Sequence, residues 1–259
     1  MKKLIIANWK MNPKTAEEAR RLVASLEHRM SQVYERTEVV VCPPFIYLPA
    51  FLHHTQAIRL GAQNLSWADE GALTGEISAT QLKQFNVGFV ILGHSERRLY
   101  LGETDSIVNA KVVMALENKI TPIVCLGGAE NATRDDMKTL VTKQFNKVTK
   151  DLEGRELEKI IYVYEPVWAI STMSNSQAAS GGHALELIEH IYELLEHRVG
   201  KGAARNIRVL YGGTVNKDNV SEYAKHSQID GALVGAASLD PENFWAIVKE
   251  FNRESIHHV

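Results

Sequence analysis

Short apolar runs rich in β-branched residues alternate along the whole chain with segments of helical periodicity. The predicted strands lie near residues 3–8, 37–42, 58–62, 87–92, 120–126, 159–165, 206–211 and 230–234. The predicted helices lie near residues 16–30, 104–118, 134–150, 183–199 and 240–252. Such alternation predicts parallel strands that are joined by crossover helices.

Eight such units in 259 residues favour a closed α/β barrel, a (β/α)8 architecture, over an open sheet. An open doubly wound sheet is the alternative that the pattern leaves open. We find no Pro/Gly/Ser-rich linker and no shift in composition. We therefore expect residues 1–259 to form a single (β/α)8 barrel domain.

Charge and composition exclude several classes of protein. The net charge is −2, so no basic surface points to nucleic acid or to an anionic membrane. No apolar run is long enough to span a bilayer. Cys42 and Cys125 are far apart in sequence and form no CxxC pair, which is typical of buried thiols in a reducing compartment. We expect a cytoplasmic protein with no membrane or nucleic-acid partner.

In a barrel of this kind, catalysis takes place at the C-terminal ends of the strands. Polar and glycine residues collect after five predicted strands: Asn8 and Lys10, Gly93 and His94, Glu165, Gly212 and Gly213, and Gly235. The sequence therefore predicts a site at that end of the barrel.

Three of these residues are suited to catalysis, two by acid–base chemistry and one by its charge. Glu165 ends a buried strand, and Pro166 behind it has no N–H with which to extend a sheet, so Glu165 is a candidate base. His94 lies where a strand ends and a short helix begins; the positive end of that helix disfavours an imidazolium. Lys10 could neutralise an anionic substrate, and Glu96 could contact Lys10 or an arginine. Taken singly, each residue also fits a structural or solvated role.

Two glycine motifs predict a phosphate site. Gly212-Gly213 follows the seventh strand, and Gly235 follows the eighth. Glycines let backbone N–H groups approach a ligand closely, and phosphate sites in this barrel class commonly follow strands seven and eight.

Several longer motifs together resemble one family from end to end. They are Ala7-Asn8-Trp9-Lys10-Met11-Asn12, Gly61-Ala62-Gln63-Asn64, Gly71-Ala72-Leu73-Thr74-Gly75-Glu76-Ile77-Ser78, Gly93-His94-Ser95-Glu96-Arg97-Arg98, Tyr164-Glu165-Pro166-Val167-Trp168-Ala169-Ile170, Tyr211-Gly212-Gly213 and Leu233-Val234-Gly235. The chain resembles the triosephosphate isomerase family. That resemblance implies the TIM-barrel fold and an aldose–ketose isomerase that needs no metal or cofactor.

The resemblance also implies residue roles. Glu165 would be the base, His94 the neutral electrophile and proton shuttle, Lys10 the supporting charge and Asn8 an orienting group. The implied phosphate-binding positions are Ser171, Gly213, Thr214, Gly235 and Ala236.

The resemblance further implies a homodimer. The 64–78 loop would reach into the partner, where Thr74 would support the neighbouring site, and Glu96 would support its own site. Arg97 and Glu103 are interpreted as structural.

Three regions depart from the family pattern. The lid segment, residues 171–182, is a few residues longer, and Ser171 and Met173 stand where the family usually has glycines. Ala236 replaces a usual second glycine, and Gly128 replaces a usual glutamate.

The altered lid leaves three hypotheses open. The first is interconversion of dihydroxyacetone phosphate and D-glyceraldehyde 3-phosphate. The second is isomerisation of a four-carbon ketose phosphate, such as erythrulose phosphate, by the same catalytic residues. The third is a barrel retained without catalysis as a binding or scaffold protein.

Overall fold

Eight parallel strands close into a barrel in the order β1 to β8. The structure is a computed structural model that describes residues 1–30, 37–51, 57–128, 134–166 and 180–257, with the backbone alone at 134–135 and 254–257. The strands are β1 (Lys3–Asn8), β2 (Thr37–Cys42), β3 (Arg59–Ala62), β4 (Phe89–Leu92), β5 (Thr121–Gly127), β6 (Ile161–Glu165), β7 (Val209–Tyr211) and β8 (Gly231–Val234). The (β/α)8 prediction is confirmed. The open-sheet alternative is wrong, because β1 pairs with β8.

Helices follow the strands and surround the barrel. They are α1 (Ala16–Met30), α2 (Ala79–Lys83), α3 (Ser95–Leu101), α4 (Asp105–Glu117), α5 (Arg134–Val148), α6 (Gly154–Leu157), α7 (Gly181–Val199), α8 (Lys201–Ala204), α9 (Val220–Ala224) and α10 (Pro241–His257). Phe45–Phe51 and Ala236–Leu239 form 3₁₀ helices. Among the described residues, no helix has the length and apolar character needed to cross a bilayer.

The core has two layers, because successive side chains of a strand point to opposite faces. One layer fills the barrel interior and includes Leu4, Ile6, Val40, Ile91, Ile123, Val163, Leu210 and Leu233. The other packs between the outer face of the barrel and the helices. Every residue of β1 is buried, which explains why the strands read as continuous apolar runs.

Helix starts follow local capping chemistry. The Glu18 N–H donates to Thr15 Oγ1 at 3.2 Å, so Thr15 caps α1. The Glu242 N–H donates to Asp240 Oδ1 at 3.0 Å at the start of α10. α7 begins at Gly181 rather than near residue 183, because Ser180 Oγ accepts the His183 N–H and caps the helix.

Candidate active site

A cavity of about 330 Å³ opens at the C-terminal end of the barrel. Its lining includes Asn8, Lys10, His94, Gly212, Gly213, Thr214, Gly235 and Ala236. These residues come from four different strand ends, so only the closed barrel brings them together. The site lies where the barrel architecture predicts it.

Glu165 ends β6 and is almost fully buried; it does not itself line the cavity but lies against His94, which does. Its Oε2 accepts a hydrogen bond from the Ser95 N–H at 2.8 Å. Its Oε1 lies 3.1 Å from His94 Nε2 but receives no well-aligned hydrogen bond from any described residue. One carboxylate oxygen is therefore held by the backbone, and the other is buried next to His94 with an unused lone pair.

His94 caps the N-terminus of α3, and this fixes its tautomer. The Glu96 N–H donates to His94 Nδ1 at 3.2 Å. A nitrogen that accepts a backbone N–H carries no proton, so the ring is neutral and its hydrogen is on Nε2. Nε2 lies on the side of the ring that faces Glu165, 3.1 Å from Glu165 Oε1.

Lys10 follows β1 and forms an ion pair with Glu96. The distance from Lys10 Nζ to Glu96 Oε1 is 2.5 Å, and the lysine side chain is 18% exposed. The predicted contact between these two residues is therefore confirmed. The pair anchors the ammonium group at the cavity wall instead of leaving it solvated.

The backbone at Lys10 is strained. Its φ is +53°, a value that residues other than Gly and Asn rarely adopt. Two amide side chains hold it there. Asn8 Oδ1 accepts the Lys10 N–H at 3.1 Å, and Gln63 Nε2 donates to the Lys10 carbonyl at 2.9 Å and to the Cys42 carbonyl at 2.9 Å. These hydrogen bonds thus hold the backbone in its strained conformation. Such strained conformations are common at functional sites.

The glycines around the cavity differ in how much room a side chain would have. A Cβ on Gly212 would lie 2.6 Å from Val163 Cγ1 and 3.0 Å from Glu165 Cγ. A Cβ on Gly213 would lie 2.2 Å from Tyr211 Oη. At both positions protein atoms already fill the space that a side chain would need. Packing within the protein therefore requires glycine there, whether or not a ligand is bound. At Gly235 the Cβ would approach only the Lys10 side chain, at 3.4 Å.

The end of β5 supports the backbone of Glu165 from behind. The Gly128 N–H donates to the Glu165 carbonyl at 3.1 Å, and Gly127 pairs with Glu165 in the sheet. Gly128 has φ of +95°, where a side chain would be strained. The glycine that departs from the family pattern is therefore suited to the path of this chain. Burial, and then the charge of Glu165, raise the pKa of the Cys125 thiol.

A second buried network joins α3 to α4. Glu103 forms ion pairs with Lys111 and with Arg97, whose Nε lies 3.2 Å from Glu103 Oε1. Lys111 Nζ also donates to Asn64 Oδ1 at 2.8 Å. Although burial opposes ionisation, the hydrogen bond and charge of Lys111 and the charge of Arg97 hold the pKa of Glu103 below its ordinary value. This network ties the start of the 64–78 loop to α4, which agrees with the structural interpretation of Arg97 and Glu103.

Two predicted site residues lie elsewhere. Thr74 is exposed on the 64–78 loop and does not line the cavity. Ser171, and with it the lid up to residue 179, lies outside the described residues. Within the described parts of the chain, no group of three or more His, Cys, Asp and Glu residues could hold a metal ion.

The sequence did not predict two contacts at the site: that of Gln63 with the Lys10 backbone and that of the Ser95 N–H with Glu165. Gln63 directly follows β3, so its place at the C-terminal end of a strand was the available signal. The Ser95 contact depends on the turn between β4 and α3, for which the sequence carries no separate signal.

Comparison with known proteins identifies the family. Residues 3–251 match the family model described as triosephosphate isomerase. A protein named triosephosphate isomerase from Dictyoglomus thermophilum is 42% identical over 251 residues, which cover 96% of this chain and 99% of that protein. A protein of the same name from Moorella thermoacetica is 45% identical over 95% of this chain and 97% of its own length. Another from Caldanaerobacter subterraneus is 43% identical over 95% of this chain and 98% of its own length. The chain belongs to the triosephosphate isomerase family.

Proposed function

We propose that this chain is an aldose–ketose isomerase that interconverts dihydroxyacetone phosphate and D-glyceraldehyde 3-phosphate. Family membership and the names of the relatives support this substrate pair. The observation that carries the chemistry is the 3.1 Å approach of Glu165 Oε1 to His94 Nε2 beside the cavity. A carboxylate base and a neutral N–H donor placed side by side suit removal of a proton next to a carbonyl.

Glu165 is proposed as the base. Its Oε1 takes a proton from the carbon beside the substrate carbonyl, and the electron pair of that C–H bond forms the C=C bond of an enediolate. The proton then returns to the neighbouring carbon, so the net reaction needs no oxidant or reductant. Because Glu165 is buried outside the cavity lining, with Oε2 bound to the Ser95 N–H, the side chain must turn towards the cavity before it can act.

His94 is proposed as the electrophile. Its Nε2–H donates to the substrate oxygen on which negative charge develops, and it passes a proton between the two oxygens of the enediolate. Such a donor, fixed in place before reaction, stabilises charge without reorganisation. The Glu96 N–H holds the ring in the required tautomer.

The phosphate is proposed to bind opposite this pair. Gly213, Thr214, Gly235 and Ala236 all line the cavity and can present backbone N–H groups. Lys10 extends over Gly235, so its positive charge faces the same space. Asn8 is proposed to orient the substrate, since it lines the cavity and holds the Lys10 N–H.

We also propose a homodimer. Exposed apolar side chains surround a second cavity of about 340 Å³, next to Lys10 and Glu96: Met11 is 94% exposed, Tyr100 67% and Leu101 65%. Such a patch is unusual on a monomer. The partner's 64–78 loop would fill the second cavity, where Thr74 would support the site.

Sedimentation tests the dimer. A Met11→Arg variant should sediment as a monomer, whereas Thr139→Arg, at an exposed residue of α5 outside the patch, should remain dimeric. A wild-type protein that sediments as a monomer at micromolar concentration would contradict the dimer.

The remaining proposals concern domain organisation, metabolic pathway and location in the cell. We propose a single barrel domain over residues 1–259, supported by strands and helices that continue from Lys3 to His257. We propose an enzyme of glycolysis and gluconeogenesis, supported by the names of the relatives, and a cytoplasmic location. The two cysteines are buried and free, which fits a reducing compartment.

Steady-state kinetics with two substrates tests the proposed function. We expect kcat/KM for D-glyceraldehyde 3-phosphate to exceed that for L-erythrulose 1-phosphate by about tenfold or more, because an extra carbon must fit the same cavity. A preference for the tetrulose would establish the four-carbon alternative, which no relative described above supports. A folded protein that turns over neither substrate would indicate the scaffold alternative.

A further inference from the structure

Gln144 of α5 binds both backbone polar groups of Gly127 at the end of β5. The Gly127 N–H donates to Gln144 Oε1 at 2.7 Å, and Gln144 Nε2 donates to the Gly127 carbonyl at 2.9 Å. Gln144 is 6% exposed. A buried side-chain amide thus replaces the strand that would otherwise pair with this residue.

Gly127 lies directly against the backbone of Glu165. A Cβ on Gly127 would lie 2.3 Å from the Glu165 carbonyl oxygen, and the next residue, Gly128, donates its N–H to that oxygen at 3.1 Å. Both glycines have positive φ, +113° and +95°. Two consecutive glycines in this region have many accessible conformations, so a bidentate contact is needed to select one.

These contacts form a chain from α5 to the proposed base. Gln144 fixes Gly127, Gly127 and Gly128 fix the Glu165 peptide, and that peptide sets where the carboxylate can reach. Gln144 binds the Gly127 backbone with its side-chain amide and lines neither cavity at the site, whereas Glu165 lies against the cavity residue His94. We propose that Gln144 is a positioning residue for the isomerase reaction, one that places Glu165 without touching the substrate. This role rests on the activity proposed above.

Removing the amide tests the role. In a Gln144→Met variant we expect kcat to fall by about 10-fold to 100-fold with little change in KM, because the base is misplaced while the phosphate positions on β7 and β8 are untouched. Thr142→Val is the matched control, since it removes a 2.8 Å contact from the same helix to His190 but none to Gly127. The control should retain its kcat.

A Gln144→Glu variant adds a readout that loss of stability alone would not produce. A neutral carboxyl group can accept the Gly127 N–H and donate its own O–H to the Gly127 carbonyl, as the amide does. Burial raises the pKa of such a carboxyl group. Activity relative to wild type should therefore be highest at low pH, where the group is neutral, and should decrease as the pH rises and the carboxylate repels the carbonyl.

The proposal is overturned if Gln144→Met keeps its kcat, or if the relative activity of Gln144→Glu is independent of pH. Amide hydrogen exchange separates this proposal from the proposed activity. If wild type lacks isomerase activity, the proposed function fails. Faster exchange of the Gly128 N–H in Gln144→Met, but not in Thr142→Val, would still support the positioning contact, and unchanged exchange would overturn it.

Discussion

Gly212 forms part of the wall against which Glu165 packs, and a single methyl group there should disturb the site. A Cβ at this position would lie 2.6 Å from Val163 Cγ1, 3.0 Å from Glu165 Cγ and 3.2 Å from the Tyr164 carbonyl oxygen. All three distances lie below 3.4 Å, where ordinary van der Waals contact begins. In Gly212→Ala, either β6 and β7 separate or the Glu165 side chain moves.

Both responses have a cost that can be measured. Overpacking of this kind destabilises a protein by roughly 1–3 kcal/mol. For a chain of this size, each kcal/mol lowers Tm by roughly 2–4 °C. Displacement of the base should lower kcat by about 10-fold to 100-fold, since misplacement of a reacting group by about 1 Å has effects of that size.

Thermal unfolding and steady-state kinetics on the same preparations check this prediction. The matched control is Gly202→Ala, because the Cβ position of Gly202 in α8 meets nothing within 4 Å. The control should keep its kcat, and its Tm should stay level or rise, because Ala is favoured over Gly in a helix. If Gly212→Ala kept wild-type kcat and Tm, the packing argument for Glu165 would be refuted.

Three further changes test the buried ion pair and one helix cap. Lys111→Met should lower the free energy of unfolding in urea by about 3 kcal/mol, because it leaves the buried Glu103 with Arg97 alone; a loss below 1 kcal/mol would count against the network. Glu103 has a lowered pKa, so its stabilisation is present above the unfolded-state pKa of about 4.3 and is lost as the pH falls further. The difference in unfolding free energy between wild type and Glu103→Gln should therefore shrink below that pH, and a constant difference would contradict the assignment. Thr15→Ala should lower the free energy of unfolding by about 1 kcal/mol with kcat unchanged, since Thr15 caps α1 and lines neither cavity; no loss would argue against the cap.

The fold could be predicted because each unit repeats the same local pattern. Strands buried on both faces give continuous apolar runs, as in β1, and amphipathic helices such as α1 give a period of 3.6 residues. The ends of elements were less predictable. β7 begins at Val209 although its apolar run begins earlier, because strand pairing depends on neighbouring strands.

The predicted site residues came from strand ends, and the barrel brings those in the described part of the chain to one end. What could not be predicted is how they are held. Gln63 supports the strained Lys10 across 53 positions of sequence, and Gln144 supports Gly127 across 17. Such contacts depend on register and helix packing, and neither residue type signals a role by its local sequence.

The contrast between wild type and Glu165→Gln tests the central claim, which is that the Glu165 carboxylate is the base. The amide keeps the shape of the side chain and can still accept the Ser95 N–H, but it cannot take up a proton at neutral pH. We expect kcat for D-glyceraldehyde 3-phosphate to fall by about 10²-fold to 10⁴-fold with Tm unchanged. A variant that folds like wild type and keeps its kcat to within a few-fold would contradict the assignment of Glu165 as the base.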